Sequence, residues 1–186
     1  MKTRLAIELG DGAALAAYRS LAERVIADVQ TSEAFSPVVC FTPRESEQAM
    51  RIWLGPSARL RAQCDGGLGE RMAGAIAEAV EHGADRVVVI GTDCPDVNAS
   101  VVEHAFEQLD DADVVLGPAT DGGYYLIGMS ALHASLFAHI PWSTADTLRV
   151  TLDRARESRL SIALLEERND IDTADDWRHW LAQQTS

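Results

Sequence analysis

Short apolar runs rich in β-branched residues recur along this chain, at "SPVVCFTP", "RVVVIG", "ADVVLGP", "GGYYLIGM" and "SIALLEE". Between them lie stretches whose apolar residues return every three or four positions. A run of a few consecutive apolar residues suits a strand covered on both faces, and the longer period suits the helix that covers it. The helical stretches begin with Asp11 to Val29, where Leu15, Tyr18, Ala22, Val25 and Val29 share a face, and continue with Glu45 to Leu54. A third carries Met72, Ile76 and Val80 and stops at Gly83, and a fourth, opened by Asn98 or Ser100, turns Val101, Val102, Ala105, Phe106 and Leu109 inward. Leu132 to His139 reads as a short helix, "PWSTAD" as the start of one reaching about Ser158, and "ADDWRHWLAQQ" as the last. Thr173 and Asp176 have the capping-box spacing ahead of it. "RLRAQC" reads as an edge strand. This alternation predicts an α/β protein with an open, mostly parallel, Rossmann-like sheet and helices on both faces. No repeat or linker interrupts it, so residues 1–186 are expected to form a single domain.

Composition narrows the function. The formal net charge is -13 and no segment is rich in Lys or Arg, so the phosphate neutralisation that drives nucleic-acid binding has no basis here. An anionic small molecule would need a local basic cluster or a bridging cation. The three cysteines, Cys40, Cys64 and Cys94, are far apart and form no C-x-x-C pair, which argues against a disulfide framework or zinc knuckle and for a reducing cytoplasm. "MKTRLAIELGDG" does not read as a signal peptide, and no later stretch approaches a membrane span.

Sheets of this class bind ligands beyond the carboxyl ends of their strands, and "GTDCPD" follows one such end. Asp93 there suits a hard divalent cation, which takes one or two carboxylates plus substrate phosphates and water. The competing reading is a plain turn, and Asp96 is read as turn or cap. In "GPATDGGYYLIGM", Asp121 is a candidate general base or acceptor-orienting group, and Gly122 and Gly123 leave room against the backbone; a hairpin turn explains them equally. Tyr124 and Tyr125 should point to opposite faces. "GGLGERM" sets glycines before a helix N-terminus, where Gly67 suits an anion and Arg71 a phosphate partner, with a surface ion pair as the alternative for Arg71. Lys2 and Arg4 are two cations with no acidic neighbour. "NDIDTADD" fails as a dehalogenase-type nucleophile motif because only one helix follows it. It fails as a calcium loop because it lacks the sixth-position Gly and terminal Glu. What remains is an acidic loop from which Asp170 or Asp172 reaches the same metal as Asp93.

In order, "KTRL", "GGLGERM", "GTDCPD", "GPATDGGYYLIG", "PWST" and "DIDTADD" resemble the bacterial glycosyltransferase-A-like group of nucleotide-diphospho-sugar transferases, some of them arsenosugar-biosynthesis glycosyltransferases. More distantly the chain is similar to cofactor nucleotidyltransferases of the same fold. The resemblance implies a metal-dependent glycosyltransferase that moves a sugar from a nucleotide-diphosphate sugar to a small-molecule acceptor, with Mg²⁺ or Mn²⁺. The alternatives are a nucleotidyltransferase joining an NTP to a phosphorylated small molecule and a truncated, non-catalytic relative. On this resemblance Lys2 and Arg4 hold nucleotide phosphates, Asp93 and Asp172 the metal, and Asp121, Gly122 and Gly123 the acceptor side with Tyr124 beside them. Relatives carry a first strand and a Pro/Gly loop ahead of "KTRL", so either translation starts upstream or an inner strand is missing here.

Overall fold

The computed structural model describes residues 3–184. Helices α1 (Thr3–Leu9) and α2 (Asp11–Val29) lead to strand β1 (Val39–Phe41), then α3 (Glu47–Leu54) and β2 (Leu60–Ala62). After α4 (Leu68–Glu81) come β3 (Val87–Ile90), α5 (Ala99–Gln108), β4 (Val114–Pro118) and β5 (Tyr124–Met129). The chain closes with α6 (Thr147–Glu157), β6 (Ile162–Leu164) and α7 (Ala174–Gln184). No described helix is long and apolar enough to cross a membrane.

The α/β class and the two helical layers are as expected, but the sheet is mixed rather than mostly parallel. β1 and β2 pair in parallel as a separate ribbon, and the larger sheet has the order β3-β5-β4-β6. In it β5 runs antiparallel to both β3 and β4, and only β4 and β6 are parallel. The reason is local: the few residues between Pro118 and Tyr124 can close a hairpin, whereas a parallel return needs a crossover of a dozen residues or more.

Alternation along the strands sorts the core into two faces. Val115, Leu126, Val88 and Ile90 face α2 and α5, where Val25, Val29, Val102, Ala105 and Leu109 meet them. Val114, Leu116, Ile127 and Met129 face the other way, onto Ile76 of α4 and Ala155 of α6. A register shift at Gly117 and Pro118 breaks the alternation opposite Tyr124 and Tyr125. The two tyrosines part as strand neighbours do, and the shift sets their sides, Tyr124 facing α4/α6 and Tyr125 joining Leu126 on the α2/α5 side. Gly117 makes this possible, because a Cβ there would lie 2.6 Å from Cε2 of Tyr125.

Two expectations change. Leu15, expected on the buried face of α2, is 51% exposed, and Ala14, Ala17 and Leu21 are buried instead. Small residues set that face because α1 and α7 press against it through Leu5 and Ala174. The helix expected from Leu132 to His139 is only a 3-10 turn over Ala134–Leu136. His139 has φ 58, so the chain leaves helical geometry before Pro141.

At the far end of the sheet Asp113 ties the starts of β4 and β6. Its carboxylate accepts from the Ser161 backbone N–H at 2.8 Å and hydroxyl at 2.7 Å, and these bonds hold its pKa below the usual carboxylate value. A depressed folded-state pKa contributes stability above the unfolded value that is lost as pH falls through the folded one. Acid unfolding curves should therefore flatten in this range in Asp113→Asn. Leu116→Ala, which empties a wholly buried site, should cost about 2–5 kcal/mol in urea unfolding. Gly117→Ala should cost about 1–3 kcal/mol through overpacking against Tyr125.

Candidate functional site

The strand directions bring several loops to one end of the larger sheet. β3, β4 and β6 finish there and β5 begins there, as their registers show. The loop after β3 carries Asp93, the β4–β5 hairpin carries Asp121, and the loop after β6 carries Asp170 and Asp172. The helix that precedes β3, α4, starts at the same end: Gly69 in its first turn packs directly against Trp142 of the "PWST" segment, where a Cβ would lie 2.6 Å from the indole Nε1.

Asp93 is half-buried, and its Oδ1 lies 2.7 Å from where a Cβ on Gly91 would stand. The carboxylate thus folds back over the end of β3, in space that only a glycine leaves open. Gly91 N–H donates to the Tyr125 carbonyl at 2.9 Å and extends the β3–β5 ladder to the base of the loop. Thr92 is anchored to α2 by a 3.2 Å hydroxyl pair with Tyr18. Cys94 and Pro95 are buried. Burial pushes the Cys94 thiol up to about 12, so it remains protonated and unreactive at neutral pH. Asn98 caps α5, its side chain accepting from Val101 N–H at 3.2 Å. Asp96 is exposed and enters the structure through its backbone carbonyl.

The acidic loop after β6 is stitched to this one, Ile171 N–H donating to the Asp93 carbonyl at 2.9 Å. Thr173 and Asp176 form the expected capping box, with Thr173 N–H to the carboxylate at 2.8 Å and Asp176 N–H to the hydroxyl at 3.2 Å. Asp172 N–H reaches the same Asp176 carboxylate at 3.2 Å. Two carboxylate-bearing loops therefore meet, yet no group of three or more His, Cys, Asp or Glu suited to hold a metal is found among the described residues. That donor set fits a cation that takes most of its ligands from substrate phosphates and water, not one caged by protein alone.

Asp121 builds its own turn. Oδ1 accepts from Gly123 N–H at 2.7 Å, and Gly122 adopts φ 88. A Cβ on Gly122 would stand 2.6 Å from Cα of Ala145, and its carbonyl accepts from Leu148 N–H at 2.9 Å. Gly122 is thus explained by contact with the segment that opens α6, Gly123 by the Asp121 carboxylate folded against it, and Asp121 remains exposed beside them. Tyr124 is committed to the core: its ring meets Trp142 edge-on at 6.2 Å, its hydroxyl is buried beside Thr151, and burial raises its pKa well above the usual phenol value. Trp142 covers it.

The glycines before α4 also have structural partners. Glu70 Oε2 accepts from Gly67 N–H at 2.6 Å, so a side-chain carboxylate already occupies the place where an anion was expected. Arg71 has no ion pair among the described residues, and its Nε is buried without a hydrogen-bond partner. The surface ion pair considered for it is not formed there. Lys2 lies outside the described residues, and Arg4 falls in the first turn of α1.

Arg168 was not singled out from the sequence. Nη1 donates to the Asp96 carbonyl at 3.2 Å and Nη2 to Glu166 at 3.3 Å, and the side chain is 22% exposed. Its backbone prolongs the β4–β6 pairing, with Thr120 N–H to its carbonyl at 3.1 Å. A lone cation before an acidic loop is an ordinary surface feature in sequence. Only the return of β6 beside β4 carries it to "GTDCPD".

The family is settled by sequence comparison. Residues 25–144 match the family described as "Uncharacterized protein conserved in bacteria (DUF2064)". The chain belongs to this family. No curated protein matches it. Among solved structures, this DUF2064 member is 33% identical to a Desulfovibrio desulfuricans G20 protein that carries the provisional name nucleotide-diphospho-sugar transferase. The match has a TM-score of 0.92 and covers 100% of this chain and 82% of that one. It is also similar to a CMP:2-keto-3-deoxy-manno-octonic acid synthetase complexed with CTP, at 14% identity and TM-score 0.61 over 88% of both chains. A Mycobacterium tuberculosis H37Rv protein in complex with manganese matches at 16% identity and TM-score 0.54, over 89% of this chain and 85% of that one. The last two are likenesses of fold.

Cys40 and Cys64 lie at the surface and Cys94 is buried. Burial raises the Cys40 thiol's pKa, so alkylation near pH 8 should label Cys64 first and Cys40 more slowly in the native DUF2064 protein and reach Cys94 only after denaturation, as peptide mapping would show.

Proposed function

We propose that this chain is a metal-dependent glycosyltransferase that moves a sugar from a nucleotide-diphosphate sugar to a small-molecule acceptor. The observation that carries the reading is the junction of the Asp93 and Asp170–Asp172 loops at the sheet end, through Ile171 N–H and the Asp93 carbonyl. It occurs in a chain 33% identical to a protein that carries the provisional name nucleotide-diphospho-sugar transferase. In this proposal Asp93 and Asp172 hold Mg²⁺ or Mn²⁺. When bound, that cation supplies the charge that neutralises the donor diphosphate and the leaving group. A fold relative in complex with manganese supports the choice of metal.

Arg71, in the first turn of α4 with an unpartnered buried Nε, is the residue assigned to a phosphate in this proposal. Lys2 and Arg4 keep the phosphate-binding role their resemblance implies. For Gly67 to bind phosphate, Glu70 must first release its N–H. Asp121 is the proposed base, since Oδ1 holds the turn while the carboxylate stays exposed to an acceptor beside Gly122 and Gly123. Tyr124 acts beneath Trp142 as support, not as an acceptor contact. A cytoplasmic location is part of the same reading.

The second reading, a nucleotidyltransferase that couples an NTP to a phosphorylated small molecule, is favoured by the fold relative complexed with CTP. A thermal-shift panel of nucleotide sugars and NTPs, each with and without Mn²⁺, separates the two. A ligand at about a hundredfold its dissociation constant contributes about 2.7 kcal/mol, a shift of a few degrees. A Mn²⁺-dependent shift with one nucleotide sugar, lost in Asp93→Asn, is expected. A shift with an NTP and pyrophosphate release would transfer the assignment to the second reading. No shift with either class would leave a non-catalytic relative as the description of this chain.

A further inference from the structure

Two segments at the sheet end run antiparallel and are joined by two rungs. Arg168 Nη1 donates to the Asp96 carbonyl at 3.2 Å, and Ile171 N–H donates to the Asp93 carbonyl at 2.9 Å. Three residues forward on one segment answer to three residues back on the other. The first rung is a side chain and the second is backbone. Both lie within the stretch that places Asp93 on one segment and Asp170 and Asp172 on the other.

The guanidinium that makes the first rung is costly where it stands. Its side chain is 22% exposed, its Nε is buried without a hydrogen-bond partner, and its carboxylate contact is Glu166, which is 82% exposed. A desolvated cation with an unpaired N–H would be exchanged for an apolar side chain of similar length at little loss, or some gain, of stability. Its planar fork, however, reaches two acceptors on different segments, which no apolar residue can do. The Tyr125 hydroxyl, donating to the Glu166 carbonyl at 3.0 Å, fixes the base from which the arginine extends.

We propose that Arg168 is a positioning residue that sets the spacing between the Asp93–Asp96 loop and the Asp170–Asp172 loop, and through that spacing the affinity for a divalent cation. The clause about the cation rests on the function proposed above; the clause about the loops does not. Partners that hold the groups around a metal site typically cost about tenfold or more in metal affinity when lost. Arg168 acts through the carboxylates and touches no reacting atom.

The test uses the whole chain with Arg168→Met and Arg168→Lys, read by amide hydrogen exchange without ligand and by electron paramagnetic resonance titration with Mn²⁺. In Arg168→Met, exchange at Ile171 and at Cys94, Asp96 and Val97 is expected to rise about tenfold, with Leu126 and Ile127 of β5 unchanged. The lysine, which reaches one acceptor, should give about a threefold rise. The Mn²⁺ dissociation constant should increase about tenfold in the methionine variant. Wild-type exchange at Ile171 in Arg168→Met overturns the proposal. So does an equal rise at Leu126 and Ile127, which would make Arg168 a residue of general stability. If the methionine variant does not fold, the lysine variant decides, and wild-type exchange there overturns the proposal. If exchange rises as expected but the wild-type protein binds no Mn²⁺, the loop-positioning role stands and the metal reading fails.

Discussion

Complete burial of β4 is the constraint on which the rest of this structure depends. All five of its residues are inaccessible, and β5 is buried from Tyr125 onward. A strand pressed between two helical layers must pair on both edges, because its backbone groups have no water to turn to. β5 and β6 supply those pairs. Once β5 returns beside β4, the "TDGG" turn is carried to the same end as the loop after β3. Once β6 pairs with β4, the acidic loop arrives there too. The site is a consequence of how one strand is satisfied.

That end of the molecule also shows how a chain of net charge -13 arranges its few local cations. Most of the arginines that form ion pairs among the described residues form them with exposed carboxylates, such as Arg51 with Glu47 and Arg149 with Asp146. Pairs of that kind contribute little stability, since water screens them. Arg71 and Arg168 differ, because each carries a buried Nε without a hydrogen-bond partner. Both belong to segments that reach the sheet end. Glu70, by contrast, draws the Gly67 N–H to itself, so that donor ahead of α4 is already engaged before any ligand arrives.

Element types were legible in the sequence to within a residue or two wherever local chemistry was strong. "VVVI" is β3, Asn98 is a cap, and Thr173 with Asp176 closes a box, because each depends on neighbours within a turn. Legibility failed where distant packing decides. Leu15 has the right spacing for the buried face of α2, but α1 and α7 select the smaller alanines beside it. The segment after Leu132 has helical composition, yet it holds only a single turn before the chain bends at His139. Strand direction was not legible either, since a run of apolar residues reads the same in both senses.

For the site, residue types and chain order carried the information. The sequence by itself determined that acidic loops follow apolar strands, that glycines follow Asp121, and that no segment is rich in Lys or Arg, because these depend on composition and short spacing. Only the tertiary structure decided which loops meet, that Gly69 is there for Trp142 and Gly122 for Ala145, and that Tyr124 is a core residue. It also decided that Arg168 stands between two carboxylate loops. The physical reason is common to all of these: a side chain's role is set by what packs against it, and strand pairing brings together residues more than seventy positions apart, as in Arg168 and Asp96.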